Sequence, residues 1–268
     1  MRVALAQFAA TTDPAENLRQ VQAAVERAAA ADARLAVFPE AMICSFARPR
    51  IEAAEPLDGP WASAVRTAAR QAGITVIVGM FTPGSSGKVR NTLLVTGPGI
   101  EAHYDKLHLF DAYGYRESDQ IEPGDELVLI EVDGIGIGLA TCYDLRFPEQ
   151  FKALAARGAD IIVVPSSWAA GERKVDQWQV LVAARALDST SIVVAVDQAL
   201  PAAPHDHQDR KPTGVGHSMV TGPLGELLLE LGPEPELALV DLDVAAVASA
   251  REALPVLGNS RLTSPLTR

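Results

Sequence analysis

Residues 148–168 read PEQFKALAARGADIIVVPSSW, and this stretch, with the one that follows it, decides the fold class. Apolar residues at helical spacing follow Pro148, and DIIVVPSSW (160–168) is typical of a buried strand. The pattern repeats with a helix through WQVLVAARALD (178–188) and a strand SIVVAVDQ (191–198). Strands that alternate with helices predict an α/β fold with layered packing.

The same alternation extends outward along the chain. Asp13 and Pro14 predict the N-cap and first residue of a helix, and Asp133-Gly134 is the favoured dipeptide of a hairpin between ELVLIEV and IGIGLATCYD. The Gly/Pro/Asp-rich stretch 111–125 is predicted to be an irregular loop and a wall of the site. No Gly/Ser or Pro linker divides the chain, so one domain over residues 1–268 is expected. Further strands are predicted at 2–7, 35–40, 74–81, 89–97, 217–222, 226–231 and 236–243, with another helix around 60–72. The stretch 102–110 is predicted to be a strand that runs into a loop.

Composition and charge exclude several classes of protein. Hydrophobic residues make up 48% and charged residues 21% of the 268 residues, as in ordinary globular proteins. The formal charge is −11, and no Lys/Arg stripe is present to neutralise phosphates, so nucleic acid is not an expected partner. No segment approaches about eighteen uninterrupted apolar residues, and the start MRVALAQFAATTD turns polar too early for a secretory signal. We therefore expect a cytoplasmic protein without a membrane partner.

The two cysteines have different surroundings. Cys44 lies in the apolar stretch EAMICSF, which is typical of a small buried hydrophobe, and two thiols exclude a disulfide framework. Cys142 follows the strand pattern GIGIGLAT and precedes a predicted helix. A strand-to-helix turn exposes its side chain, and the backbone N–H groups after it stabilise negative charge on a thiolate or an oxyanion. Cys142 is therefore the candidate nucleophile.

Other hydrolase and metal chemistries lack support in the sequence. His205 and His207 lie in the polar stretch PAAPHDHQDR, typical of a solvated loop, and no Cys or carboxylate stands beside them at zinc-like spacing. No G-x-S-x-G motif of a serine hydrolase occurs. We expect no metal and no cofactor, which leaves a carboxylate and a lysine as partners for the thiol.

Three motifs in order resemble the nitrilase superfamily of carbon-nitrogen hydrolases. They are PE at 39–40, YDKLHLF at 104–110 and TCYDLRFPE at 141–149. The similarity extends from RVALAQ to PVLGNSR, over nearly the whole chain, and is nearest to the amidase branch that contains omega-amidase and the deaminated-glutathione amidases. The resemblance implies an α-β-β-α sandwich that pairs into a homodimer or a larger homo-oligomer.

The resemblance also implies roles for particular residues. Glu40 is similar to the general base, Lys106 to the cation that holds the tetrahedral oxyanion, and Cys142 to the nucleophile that becomes acylated. The backbone N–H of Tyr143 would complete the oxyanion hole. Glu117 resembles a second glutamate that orients the substrate amide or the hydrolytic water, although a solvated loop acid explains it equally well. Asp144, Arg146 and Glu149 are expected to form an ion-pair cluster away from the substrate.

The expected substrate is a small amide that bears a remote carboxylate. Arg116, in the predicted wall loop, and Arg173, in the stretch AAGERKVDQW (169–178) that departs from the omega-amidase pattern, are the candidate clamps for that carboxylate. Lys174 is a third candidate, although a solvated surface cation is the better interpretation of it, and the same interpretation explains Arg173 equally well. Trp168 is a further candidate for substrate contact.

Two kinds of alternative function stay open. The same residues permit nitrile hydrolysis, carbamoyl cleavage or acyl transfer to an amine. A non-catalytic binding protein that kept the fold is the other alternative.

Overall fold

Two six-stranded sheets form the centre of the computed structural model, which describes residues 1–85, 87–201 and 213–261. The strands are β1 (Arg2–Gln7), β2 (Leu35–Val37), β3 (Thr75–Pro83), β4 (Val89–Gly97), β5 (Ile100–Asp105), β6 (Asp111–Ala112), β7 (Tyr115–Arg116), β8 (Leu129–Val132), β9 (Ile135–Leu139), β10 (Ile161–Ser166), β11 (Ile192–Asp197), β12 (Met219–Thr221), β13 (Leu227–Glu230) and β14 (Glu236–Asp241). The helices are α1 (Pro14–Ala30), α2 (Arg50–Ala53), α3 (Pro60–Ala72), α4 (Pro148–Ala156), α5 (Lys174–Ser189), α6 (Ala245–Ala253) and α7 (Val256–Asn259), with 3-10 turns at Glu117–Asp119 and Cys142–Arg146.

The order of strands places the ends of several strands at one edge of each sheet. The first sheet runs β14-β1-β2-β3-β4-β5, and the second runs β13-β12-β11-β10-β9-β8. β1, β2 and β3 are parallel, as are β9, β10 and β11. Neighbouring parallel strands have their carboxyl ends on the same side of the sheet, and sites in α/β folds form beside these ends.

Alternating side chains of the strands divide the apolar residues among three cores. Leu5 and Val163 point between the two sheets and belong to one buried cluster. Their neighbours point outward, since Ala4 packs with α1 and α3 and Val164 packs with α4 and α5. The layers are therefore helix, sheet, sheet and helix, and the expected α-β-β-α sandwich is confirmed.

Most of the predicted local structure agrees with the fold. Asp13 caps α1 by accepting from Ala15 N at 2.9 Å. The β8–β9 hairpin turns at Asp133 and Gly134, whose φ angles are 53° and 77°, as a two-residue turn with left-handed conformations requires. Among the described residues, no helix has the length and apolar character needed to cross a membrane.

Two predicted boundaries are wrong. The strand expected at 35–40 ends at Val37, so Glu40 lies in the turn beyond β2. The stretch 111–125 is not wholly irregular, because β6 and β7 pair as a small hairpin that a 3-10 turn follows. Both differences affect the site, because Glu40 lies in a turn that follows β2 and Glu117 lies in a turn that follows β7.

Candidate active site

Three candidate catalytic side chains meet where the two sheets end. Glu40 follows β2 and Lys106 follows β5 in the first sheet, and Cys142 follows β9 in the second. Glu40, Lys106 and Cys142 are buried, with 1%, 2% and 6% of their surface exposed. The predicted set is thus brought together by strands that are far apart in the sequence.

Lys106 lies between two buried carboxylates. Its Nζ is 2.9 Å from Glu40 Oε1 and 3.0 Å from Glu117 Oε2. Asn91 on β4 donates from Nδ2 to both acids, at 2.6 Å to Glu40 and 3.2 Å to Glu117. Buried charges persist only when they are paired and hydrogen-bonded, and this cluster meets that condition.

Glu40 is fixed through both its side chain and its backbone. Its Oε2 accepts from Ser167 N–H at 2.8 Å, and its carbonyl oxygen accepts from Gln198 Nε2 at 2.8 Å. Gly79 on β3 lies against the same turn, where a Cβ would be 2.3 Å from Ala41 N and 2.7 Å from Glu40 Cα. Only glycine allows so close an approach of the two backbone segments.

Glu117 holds the lysine from the other side. The side chain is 2% exposed, so the alternative of a solvated loop acid is wrong. In addition to Lys106 and Asn91, its Oε2 accepts from Phe110 N–H at 2.6 Å. Glu117 therefore fixes the loop after Lys106 as well as the ammonium group itself.

Cys142 sits in a strained turn. Its φ is 46°, in the left-handed region that side chains other than glycine rarely occupy. The helix expected directly after it is a 3-10 turn, and α4 begins at Pro148. The thiol donates to the carbonyl oxygen of Ser167 at 3.7 Å. Strain of this kind persists only where the surroundings impose it, and it is common at functional sites.

The charges of the cluster shift one another's titration. Burial raises the pKa of the Cys142 thiol well above its ordinary value; Glu40 raises it further, and Lys106 lowers it. Burial also raises the pKa of Glu40, which Lys106 lowers and Glu117 raises. Burial disfavours the charged form of Lys106, but Glu117, Glu40 and Cys142 outweigh it and raise the pKa of the lysine. The resting site thus holds a neutral thiol and a charged lysine, and the thiol needs a base to react.

A small cleft opens at Cys142. Tyr143 and Trp168, two of the predicted substrate contacts, line it. Its aromatic walls favour a small organic ligand, and its polar groups can orient that ligand. The remaining lining residues are Phe110, Arg146, Ser167, Ala169 and Lys174.

The sequence matches a known family over most of its length. The model of the family described as carbon-nitrogen hydrolase matches residues 2–252. The chain belongs to the carbon-nitrogen hydrolase family. The resemblance to the nitrilase superfamily and the expected class of enzyme, a hydrolase of carbon-nitrogen bonds, are confirmed.

Relatives and a solved structure agree with this assignment. A hydrolase from Mycobacterium tuberculosis is 49% identical over 266 residues, which cover 97% of this chain and 95% of the relative. A deaminated glutathione amidase from Escherichia coli O157:H7 is 34% identical and covers 99% of both chains. A mutant of the amidase from Nesterenkonia sp. AN1, in which acrylamide has undergone Michael addition at the active-site cysteine, superposes with a TM-score of 0.77. It is 29% identical and covers 95% of this chain and 98% of its own.

The predicted clamps Arg116 and Arg173 lie outside the cleft of this carbon-nitrogen hydrolase. The Arg116 side chain is 68% exposed and pairs with Asp119, and that of Arg173 is 75% exposed and pairs with Asp176. Both predicted substrate contacts are corrected on this ground, because each arginine faces solvent beside an acid of its own turn.

Two other cations occupy the cleft instead. Lys174 was expected to be a solvated surface cation, but it is only 9% exposed, and its Nζ lies 3.9 Å from the centroid of the Tyr113 ring. Arg146 Cζ lies 5.3 Å from the centroid of the Trp168 ring. Within the described part of the chain, no ion pair is formed by either cation, so both can receive an anion of the ligand.

The expected ion-pair cluster of Asp144, Arg146 and Glu149 is wrong. Asp144 accepts from His108, Arg146 donates to Gln177 Oε1 at 2.7 Å, and Glu149 is exposed. Asp144 and Arg146 lie in the 3-10 turn and Glu149 lies in α4, so the three residues do not share one continuous helix.

Two supporting residues of this carbon-nitrogen hydrolase were missed in the sequence. Asp197 at the end of β11 is buried, and it accepts from Trp168 N–H and Val215 N–H at 2.7 Å each. Burial raises the pKa of Asp197 well above its ordinary value. Ser167 lines the cleft, and among the described residues its buried hydroxyl has no hydrogen-bond partner. A polar residue that directly follows a buried strand, as in VVPSSW and VVAVDQ, is the signal that identifies both.

In the parts of the chain that the structure describes, no group of three or more His, Cys, Asp or Glu residues is arranged to hold a metal ion. His205 and His207 lie outside those residues.

Proposed function

We propose that this hydrolase is an amidase that releases ammonia or an amine from a small amide through a thioester on Cys142. The observation that carries the proposal is the meeting of a strained cysteine, a buried glutamate and a buried lysine at one end of an aromatic cleft. The amidase names of its relatives, and the reaction of acrylamide at the cysteine of one of them, support an amide as the substrate.

In the first half of the reaction, the Cys142 sulfur attacks the carbonyl carbon while the thiol proton passes to Glu40. The proton needs this acceptor, because burial keeps the thiol neutral at rest. The oxygen that becomes negative is stabilised by Lys106 Nζ and by the backbone N–H of Tyr143. The carbon-nitrogen bond then breaks, and Glu40 returns the proton to the departing nitrogen.

In the second half, water replaces the amine. Glu40 takes a proton from the water, whose oxygen attacks the thioester carbon, and the carbon-sulfur bond breaks. The sulfur regains a proton and the product leaves as a carboxylic acid. Ser167 serves both halves, since its N–H holds the Glu40 carboxylate and its carbonyl faces the thiol.

Glu117 supports the reaction by keeping Lys106 charged and in place. Both of its carboxylate oxygens lie within 3.2 Å of Lys106 Nζ. With its oxygens engaged in this way, Glu117 orients the substrate amide or the water only through the lysine and the loop that it holds.

We propose that the substrate carries a remote carboxylate, and that Lys174 and Arg146 bind it. These cations flank Trp168, whose Nε1–H donates to the carbonyl oxygen of Lys174 at 2.9 Å. A cation stacked near an aromatic ring in a partly dehydrated cleft binds an anion more strongly than one in open solvent. Screening over about 10 Å removes most of the long-range repulsion that a net charge of −11 exerts on an anion.

Ammonia release tests the reaction and the carboxylate separately. The probes are 4-amino-4-oxobutanoate, an amide with a free carboxylate, and its neutral methyl ester. Turnover of both by the wild type, and of neither by Cys142→Ala, is expected. Release of ammonia by Cys142→Ala at the wild-type rate would refute the thioester route.

Lys174→Met tests the clamp against a matched control at the preceding position. We expect kcat/KM for the acid to fall by about 30-fold, which corresponds to roughly 2 kcal/mol for a charge-assisted hydrogen bond, with little change for the ester. Arg173→Met should change neither. Equal losses on both probes, or a selective loss in Arg173→Met, would contradict the clamp.

We also propose that the protein is a cytoplasmic single domain that forms a homodimer or a larger homo-oligomer. Both cysteines are free and buried, as suits a reducing compartment. Val180 and Leu187 on α5 and Leu227 and Leu228 on β13 are exposed, and apolar surface of this kind favours association. Light scattering should give a multiple of the chain mass of 28.4 kDa; the mass of one chain would contradict the oligomer.

A further inference from the structure

Asp144 is a fully buried carboxylate that the proposed reaction does not use. Its Oδ2 accepts from Tyr104 Oη at 2.6 Å and from Thr141 N at 2.7 Å. Its Oδ1 accepts from His108 N at 3.1 Å and lies 2.7 Å from His108 Nδ1. A carboxylate only accepts, so Nδ1 carries a proton, and the four donors fill the lone-pair sites of the carboxylate.

These donors belong to two different segments of the site. Tyr104 and His108 flank Lys106, and Tyr104 Oη also accepts from Leu107 N at 3.2 Å. Thr141 immediately precedes Cys142, whose left-handed φ depends on how that turn is held. One carboxylate therefore joins the loop that carries the lysine to the turn that carries the thiol.

We propose that Asp144 is a positioning residue that sets the location of Lys106 relative to Cys142 and Glu40. This inference rests on the proposed function. Lys106 reaches Glu40 only if its loop stays against the Cys142 turn. Asp144 joins the loop to the turn as a charged acceptor, and hydrogen bonds to a charged acceptor are stronger than those between neutral groups. His108 also stacks on Phe147, with ring centroids 3.6 Å apart, so the lysine loop is anchored to the far side of the same turn.

Asp144→Asn weakens this connection with little change of shape. An asparagine has one acceptor oxygen, and its amide group meets the N–H donors of whichever segment it faces. If the lysine loop moves away, the thiol loses a cation that lowers its pKa, while Glu40 and Asp197, which raise that pKa, remain. Loss of the Asp144 charge by itself would act in the opposite direction and lower the pKa of the thiol.

The experiment measures alkylation of Cys142 by iodoacetamide against pH, in the full chain carrying Cys44→Ala. At every pH below the midpoint of the thiol titration, Asp144→Asn is expected to be alkylated more slowly than the same chain with Asp144. A rise of about one unit in the thiol pKa lowers the rate by roughly threefold, after the greater nucleophilicity of the more basic thiolate is counted. Turnover of 4-amino-4-oxobutanoate should fall further, on the order of 10²-fold in kcat with KM little changed, because misplacement of about 1 Å has that effect.

Two further variants keep the outcome interpretable. Tyr104→Phe removes one donor to Asp144 without altering any charge, and it should change both rates in the same direction by a smaller factor. Ser191→Ala deletes a buried hydroxyl that bonds Ala159 O and Arg251 just before the amino end of β11, whereas Asp197 at the site lies at the carboxyl end of that strand. It should lower the melting temperature without changing the pH profile of alkylation.

Faster alkylation of Asp144→Asn, or an unchanged pH profile in both Asp144→Asn and Tyr104→Phe, would overturn the proposal. Alkylation requires no substrate, so this result is distinguishable from failure of the proposed amidase activity. If Asp144→Asn does not fold, the two rates of Tyr104→Phe decide the question.

Discussion

Lys106→Met is the substitution whose consequences follow most directly from the buried charges. Methionine keeps the length of the side chain and removes the ammonium group, which contacts Glu40 at 2.9 Å and Glu117 at 3.0 Å. Two carboxylates then share one buried site, with the single amide group of Asn91 between them. Like charges so close cannot both remain ionised, so one of the acids takes up a proton.

The expected losses differ for stability and for catalysis. Removing one partner of a buried ion pair lowers the free energy of unfolding by about 3–5 kcal/mol. The proton taken up by Glu40 or Glu117 should keep this loss near the lower end of that range. At about 2–4 °C per kcal/mol for a chain of this size, the melting temperature should fall by roughly 6–12 °C. Loss of the oxyanion contact should raise the barrier by about 3 kcal/mol, or on the order of 10²-fold in kcat, and protonation of Glu40 would add to that loss.

The pH dependence of unfolding provides the sign test. Burial and Glu117 already raise the pKa of Glu40 in the wild type, and Lys106 opposes them. Loss of Lys106 raises the carboxyl pKa further, so the folded variant holds a proton that the unfolded chain releases at neutral pH. A raised folded pKa means that stability increases as the pH falls from neutrality toward the ordinary carboxyl value of about 4.3. The difference in melting temperature between wild type and variant should therefore narrow at acidic pH.

Calorimetry from pH 5 to 8, together with ammonia release, measures both effects. Lys88→Met is the matched control, because Lys88 is exposed and, among the described residues, its Nζ donates only to the carbonyl oxygen of Ser118. That variant should unfold and turn over as the wild type does. A Lys106→Met enzyme with near-normal kcat, or a difference in melting temperature that widens at acidic pH, would refute the reasoning.

Four more substitutions test other parts of the site. Cys44→Ala should retain activity and Cys142→Ala should abolish it, and intact-mass analysis after iodoacetamide should find the adduct on Cys142; an adduct on Cys44 alone would exclude Cys142 as the nucleophile. Glu40→Gln keeps the shape of the base and should lower kcat by roughly two to four orders of magnitude, whereas a loss below about tenfold would exclude Glu40 as the base. Gly79→Ala should lower both the melting temperature and kcat, because its Cβ displaces the Glu40 turn, and unchanged kcat in a folded protein would show that this contact is not required.

Much of the framework could be predicted because it depends on local patterns. Alternating helices and strands indicated the layers, and Cys142, Lys106 and Glu40 each stand just after a strand in the sequence. Cys142 was identified from its position after a strand pattern, whereas Glu40 and Lys106 were identified through the resemblance of PE and YDKLHLF to the nitrilase superfamily.

The substrate end of the cleft could not be predicted in the same way. Arg173 and Lys174 are neighbours in the sequence, but α5 begins between them, with Arg173 at a φ of 57° outside the helix and Lys174 buried as its first residue. One residue of helix boundary thus decides which cation faces the ligand, and such boundaries are the least certain part of a pattern. Arg146 was assigned to an ion-pair cluster because two carboxylates lie near it in the sequence, but in the structure it donates to Gln177.

The buried polar contacts were also beyond the sequence. Asn91 and Gln198 reach partners that lie far away in the chain, and no periodicity marks such pairs. Glu117 gave no local sign of burial, because its partners come from β4 and from the residue after β5.

At position 142, the left-handed backbone conformation favours glycine, whereas the reaction requires the thiol of cysteine. A non-glycine residue held there retains a conformational penalty of about 1 kcal/mol or more, which glycine would remove. Selection for thermal resistance alone should therefore enrich glycine at position 142 and yield sturdier, inert proteins. Selection for turnover must retain cysteine at position 142 despite this penalty. Substitutions that stabilise this enzyme therefore have to be made at other positions of the sandwich.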